Sequence, residues 1–231
     1  MPRTMKLPSI LFSLSIRAAR LMAAMGAMFL LGACAAPMAQ IDYTAFRENR
    51  PRSILVLPPV NQSPEIKATA TFLATSIIPL AESGYYVIPV TLSEETFKQN
   101  GVTVAEEAHA IELGKLREIF GADAALYITV TRFGTSYRVL DSVTEAAATA
   151  KLVDLRTARE LWSGQASVAL GNNNSGGGLI GALVTAAIKQ IADTVAEKSH
   201  DAGRIANYRM LSAGGNNRIL FGPYHPKFGT D

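Results

Sequence analysis

Cys34 is the one cysteine in 231 residues, and it stands at the end of an apolar run. A chain with a single thiol can close no internal disulfide, so any fold it adopts must rest on a hydrophobic core. About 180 residues follow the linker behind that cysteine, enough for one domain with a core of its own.

Residues 1–33 carry Arg3, Lys6, Arg17 and Arg20 and no acidic residue, and the apolar run spans Leu21 to Leu31. A basic stretch followed by a short apolar one is the layout of a secretory signal. Eleven apolar residues fall short of the roughly 20 that a helix needs to cross the hydrocarbon core. The run closes with Leu31, Gly32, Ala33 and Cys34, which resembles the lipobox of bacterial lipoproteins. On that resemblance residues 1–33 are a lipoprotein signal peptide, and Cys34 becomes the acylated N-terminus. The alternative is an ordinary signal cut with Cys34 left as a free thiol. A free thiol in an exported protein can form wrong disulfides, and Cys34 sits among small residues that offer no core to hide it. Acyl chains such as palmitate on Cys34 would remove the thiol and anchor the protein, each buried methylene contributing about 0.8 kcal/mol. Ala35 follows the cysteine where lipoproteins retained in the inner membrane resemble one another in carrying Asp. The expected location is therefore the bacterial outer membrane, with the folded domain in the periplasm.

Loss of the signal changes the charge. The chain as a whole is +3, but without its four leading basic residues it keeps 18 Lys and Arg against 19 Asp and Glu. A balanced protein has no electrostatic case for nucleic acid, which calls for a clustered basic face.

Residues 34–50 read as a tether, and residues 51–231 as one domain whose chain turns irregular from about residue 200. Ile54 to Leu57 form a continuous apolar run closed by Pro58 and Pro59, the pattern of a strand covered on both faces. Ser63 and Pro64 suit a helix start, and Ile66, Ala70, Leu73, Ile77 and Leu80 fall on one helical face. "YYVIPV" reads as a second strand, ended by Pro89. Further helices are expected from Ser93 to Phe120, with a pause at Asn100–Gly101 and a cap at Gly121. In "ALYITVTRF", Leu126, Ile128 and Val130 alternate with Tyr127, Thr129 and Thr131, a strand with two different faces. A meander of long strands follows. Ala146, Ala148, Ala150 and Leu152 share one side, and the polar "DLRTARELW" turn leads to a strand with Trp162, Ala166, Val168 and Leu170 on one face. So many alanines on one face ask for a helix packed close against the sheet. A long helix is expected behind "GNNNSGGG", with Ile180, Val184, Ile188, Ile191 and Val195 on one side. The fold class is α/β (α+β): a β-α-β-α-β start, an antiparallel meander and a long helix packed on the sheet, in a single layered domain.

Motifs for chemistry are absent. The Gly-rich stretch lacks both the G-K-[ST] of a P-loop and the dinucleotide fingerprint. Gly177 and Gly181 have the small-xxx-small spacing that lets helices approach closely. His109, His200 and His225 have no metal-ligand spacing. Ser199, His200 and Asp201 are consecutive, so as helix residues they point in different directions and cannot act as a triad. Glu94–Glu95 and Glu106–Glu107 suit helix first turns. No catalytic, cofactor or metal site is assigned, and the one functional residue named is Cys34, for lipidation.

The segment "PRSILVLPPVNQSPE", the "DLRTARELWSG" turn and the closing "FGPYHP" resemble a family of bacterial lipoproteins of unknown function, over Pro51 to Pro226. That family is similar in fold to the N-terminal domain of TolB and more weakly to CsgG-type secretion lipoproteins, which assemble into rings or pores. The resemblance implies a lipid-anchored, non-enzymatic envelope protein acting as a structural or assembly subunit, with a secretion or export complex as its expected setting. Its partners would be the membrane through the anchor, further copies of itself and other envelope lipoproteins. The "ITVTRF" strand edge and the Gly-rich loop with its helix are the expected contact surfaces. The alternative is a monomeric periplasmic module binding peptidoglycan, glycan or peptide in a cleft lined by Tyr85, Tyr86, Tyr127, Tyr137 and Trp162.

Overall fold

A computed structural model describes residues 41–138, 141–171 and 195–231. Cys34, the expected signal, residues 34–40 of the tether, the run of glycines and most of the apolar stripe from Ile180 to Val195 lie outside the described residues.

The chain enters through helix α1 (Thr44–Asn49), then β1 (Ser53–Val56), β2 (Val60–Asn61) and helix α2 (Lys67–Glu82). β3 (Tyr86–Val87) leads to three helices, α3 (Val90–Gln99), α4 (Ala105–His109) and α5 (Leu113–Phe120). The long strands β4 (Ala124–Arg138), β5 (Asp141–Asp154) and β6 (Glu160–Gly171) follow, and helix α6 (Val195–Leu211) comes last. One mixed sheet holds all these strands in the order β3-β1-β4-β5-β6. β3 and β4 flank β1 in parallel, whereas β4, β5 and β6 form an antiparallel meander. β2 also pairs with β4 in parallel, so β1 and β2 act as one strand interrupted by Pro58 and Pro59. The prolines lack the N–H that an unbroken ladder needs. Ile54 pairs with Ala124 but Val60 pairs with Thr129, so the interruption absorbs one residue.

The continuous apolar run of β1 is buried on both faces, as its pattern predicts. Ile54 and Val56 join one core, with Leu126, Ile128, Val130, Ala146, Ala148, Ala150 and Leu152. Leu55 and Leu57 join a second on the opposite face, with Phe97, Ala108, Leu116, Ala125 and Tyr127. Each of the four is fully buried, which contributes about 1.5–3 kcal/mol apiece. The alanine row of β5 lies against α6, whose Ala202, Ile205, Ala206 and Met210 complete the first core. α3, α4 and α5 cover the second core, and Gly121 ends α5 in the left-handed conformation at φ 63°.

Four expectations meet a different structure. α2 begins at Lys67, and Ile66 is 91% exposed. The Ser63 hydroxyl donates to Asn61 Oδ1 at 2.7 Å rather than capping the helix. α2 packs against the sheet and also against α6 beside it, so its buried surface includes Thr71, Thr75 and Ser76, which apolar periodicity misses. The Thr75 and Ser76 hydroxyls donate to the Thr71 and Leu73 carbonyls, both at 2.7 Å, so neither is unpaired. Second, "ITVTRF" is no sheet edge: β4 lies between β1 and β5, with β2 beside it at Thr129 and Val130. That pairing spans about 70 residues and leaves no local signature. Third, part of the expected tether is folded: α1 buries Phe46, and Ile41, Tyr43 and Ala45 pack on the first core. Fourth, α6 runs to Leu211, past residue 200, and irregular chain begins beyond it.

Candidate functional site

Two carboxylates shape the end of the sheet where β1 begins. Asp123 Oδ2 accepts from the Arg52 and Ser53 backbone N–H groups at 2.9 and 3.0 Å and from the Ser53 hydroxyl at 3.1 Å. The Asp123 N–H donates back to Ser53 Oγ at 3.0 Å. Asp154 Oδ1 accepts from the Arg156 and Thr157 N–H groups, at 2.9 and 2.7 Å, and from the Thr157 hydroxyl at 2.9 Å. Asp side chains stabilise turns in this way. Here the result is the "DLRTAR" turn between β5 and β6, with Ala158 at φ 58°. Arg156 then reaches α1 and donates to Asn49 Oδ1 at 3.3 Å. α1 ends at Arg50, a non-glycine residue at φ 45°.

These turns enclose a cleft of about 540 Å³. Arg50, Arg52, Arg117 of α5 and Arg156 line it, with Glu48, Asn49, Asp123, Asp154, Pro223 and Phe228. None of the four guanidinium groups has an ion-pair partner among the described residues. Glu48 is bound instead to Arg159. Arg50 Nε donates to the Arg47 carbonyl at 3.0 Å. A second cavity of about 280 Å³ shares Arg50, Pro223 and Phe228 with the first and adds Phe46, Tyr85, Leu220 and Phe221. The Tyr85 hydroxyl beneath it donates to the Leu220 carbonyl at 2.6 Å, and burial raises its pKa far above the usual phenol value. Guanidinium groups stay charged at any physiological pH and present planar forks of donors to oxyanions. The arrangement can hold an anion; the hydroxyls beside its carboxylates, those of Ser53 and Thr157, are tied into the turns.

The aromatic cleft expected for a binding module does not form. Trp162 and Tyr85 are core residues, and Tyr127 lies in the core on the other face of the sheet. Tyr86 is 55% exposed, and the side chain of Tyr137 lies outside the described residues. Aromatics alternate along strands, and which face they reach depends on strand pairing that the sequence does not display.

The histidines stand apart. His109 places Nε2 3.0 Å from the Pro58 carbonyl and its ring edge-on to Tyr127, and burial holds its pKa below the usual value. His200 is exposed on α6, and His225 stacks on Phe221 at 4.2 Å. Ser199, His200 and Asp201 fall within α6, and Asp201 pairs with Arg204. No three His, Cys, Asp or Glu residues are grouped to hold a metal among the described residues. No helix among those residues is long and apolar enough to cross a membrane. Sequence reading missed the arginine cleft, because its residues come from four separate segments; the basic residues flanking Pro51 and the "DLRTAR" turn were the available signal.

Comparison with known proteins adds a family. The family model described as "Putative lipoprotein GNA1162-like" matches residues 41–224. A protein of Neisseria meningitidis serogroup B, named "Putative lipoprotein NMB1124/NMB1162", is 50% identical over 200 residues, which cover 86% of this chain and 93% of that one. The crystal structure of lipoprotein GNA1162 from Neisseria meningitidis is similar at TM-score 0.53 and 56% identity, covering 62% of this chain and 100% of that one. A PelC dodecamer from Paraburkholderia phytofirmans is similar at TM-score 0.41 and 10% identity over 75% of this chain and 91% of that one, a level that carries no inference about function.

Proposed function

The chain belongs to the GNA1162-like lipoprotein family, and from that premise we propose that it is a lipid-anchored, non-enzymatic subunit of an outer-membrane assembly. Acylation of Cys34 provides the anchor in this reading, and Ala35 behind it favours the outer membrane, with the domain in the periplasm. A role in secretion or export, with other envelope lipoproteins as partners, is the extension that the family resemblance suggests.

The observation that carries assembly is β6. It is the outermost strand of the sheet and runs 12 residues, and no strand pairs with its outer side among the described residues. Natural edge strands are kept from pairing by shortness, proline or charge. From Leu161 to Gly171, β6 has no proline and no charged residue. Its outward side chains Ser163, Gln165, Ser167 and Ala169 are exposed. Such an edge is suited to pair, and a second copy in antiparallel register gives a closed, twofold contact.

The test is mass by light scattering on the full-length chain, expressed in a bacterial host and extracted in mild detergent. The wild type is expected to be an oligomer, and Gln165→Lys with Ser167→Lys a monomer, since both changes place charge on the edge without touching the core. A wild-type monomer would overturn assembly. In parallel, Cys34→Ala should leave the membrane fraction; its partitioning like wild type would remove the anchor from the reading.

A further inference from the structure

We infer that the arginine cleft is a binding site for a phosphate-bearing ligand with an apolar portion. The head site comes first. Arg50, Arg52, Arg117 and Arg156 line one cleft and have no carboxylate partner among the described residues. Asp123 and Asp154 share the cleft, but Oδ2 of the first and Oδ1 of the second each receive three hydrogen bonds that hold the turns. The four guanidinium groups outnumber the three carboxylates of the cleft, Glu48, Asp123 and Asp154, and Glu48 is already paired with Arg159, so the positive charge in excess favours a bound anion. A carboxylate offers two oxygens and one charge. A phosphomonoester offers three terminal oxygens and close to two charges, a better match to several guanidinium forks.

The backbone is built around the same residues. Arg50 at φ 45° and Ala158 at φ 58°, both non-glycine, sit at the turns that present Arg50 and Arg156. Left-handed conformations cost energy for such residues and gather where a site is held in place. The tail site is the adjoining cavity of about 280 Å³, joined to the cleft at Arg50, Pro223 and Phe228. Phe46, Phe221 and Phe228 give it apolar walls. The two volumes lie within the usual range for small-molecule sites once combined. Sequence pattern suggested neither cavity, and assembly through β6 does not depend on them.

The test is calorimetric titration of the full-length lipoprotein in non-ionic detergent with inorganic phosphate, phenyl phosphate, phenol and dihexanoyl phosphatidic acid. Phenyl phosphate is expected to saturate and to bind more tightly than inorganic phosphate, while phenol gives no saturable signal. Arg52→Gln with Arg117→Gln should weaken phenyl phosphate about tenfold or more. Both side chains are exposed and unpaired among the described residues, so the fold should survive, as far-UV circular dichroism checks. Phe221→Ala, which alters only the adjoining cavity, should weaken phenyl phosphate and leave inorganic phosphate unchanged. Tighter binding of dihexanoyl phosphatidic acid than of phenyl phosphate assigns the ligand to lipid headgroups; equal or weaker binding assigns it to soluble phosphoesters. No saturable binding of any phosphate probe, or affinities unchanged in the double arginine variant, would overturn the site. Equal affinity for phosphate and phenyl phosphate would overturn the apolar portion.

Discussion

Gly222 lies against Gly84 so closely that a Cβ on Gly222 would stand 2.3 Å from the Gly84 carbonyl oxygen. Around this contact the Gly222 N–H donates to the Ser83 carbonyl at 2.7 Å, and the Tyr224 N–H donates to the Gly84 carbonyl at 3.1 Å. Gly84 itself adopts φ 90°, and a Cβ there would meet His225 at 2.5 Å. The closing "FGPYHP" segment is thus docked backbone to backbone on the end of α2. Gly222→Ala should destabilise the protein by about 1–3 kcal/mol, since the obstacle is main chain and cannot rotate away. Urea denaturation of the variant beside wild type measures it. An unchanged midpoint would mean that the tail is not held at this contact.

Trp162 is the lone tryptophan and it lies over Gly164, two residues along β6 on the same face. A Cβ at Gly164 would sit 2.2 Å from Trp162 Cζ2. The indole N–H donates to the Asn217 carbonyl at 3.2 Å, which ties β6 to the C-terminal segment. Gly164→Ala should push the ring out, break that bond and cost about 1–3 kcal/mol. Tryptophan fluorescence reads this directly, as a red shift of the emission maximum.

Asn207 joins α6 to α2. Fully buried, it donates from Nδ2 to the Phe72 carbonyl and to Thr75 Oγ1, both at 2.8 Å. Its Oδ1 has no hydrogen-bond partner among the described residues. Asn207→Asp would bury a carboxylate and turn an oxygen towards the Phe72 carbonyl, for a loss of about 3 kcal/mol or more at neutral pH. Asn207→Leu should cost far less, because it removes the unpaired oxygen along with the donor. Thermal midpoints of the two variants that fall together would contradict this account.

His109 carries a pH dependence. Burial is the largest influence on it and pushes its pKa below the usual 6.5; the Pro58 carbonyl and Glu106 oppose that shift, and Lys151 adds to it. The unfolded chain therefore binds more protons than the folded one just below pH 6.5. Its contribution to stability is full above that pH and is lost as pH falls through the folded-state value. The denaturation midpoint should drop between about pH 7.5 and pH 5, and His109→Gln should flatten that part of the profile. A drop of the same size in the variant would assign it to other groups.

Local pattern determined much of this protein. The run Ile54–Leu57 told of a strand covered on both faces, the alanines of β5 told of a helix laid against them, and Gly121 told where α5 stops. Each of these signals lies within a few residues, because strand alternation and helical periodicity repeat over two to four positions. Tertiary structure decided the rest. Pairing of β1 and β2 with β4 links positions about 70 apart in the chain, and it turned an expected edge into the middle of the sheet. Burial of Thr71, Thr75 and Ser76 followed from α6 lying on α2, which no property of α2 alone conveys. The arginine cleft likewise exists because a helix end, a strand start, a turn and the C-terminal segment meet in space. Long-range contacts close loops that leave no periodic trace in the residues between their ends, so the sequence named the parts and the packing chose their neighbours.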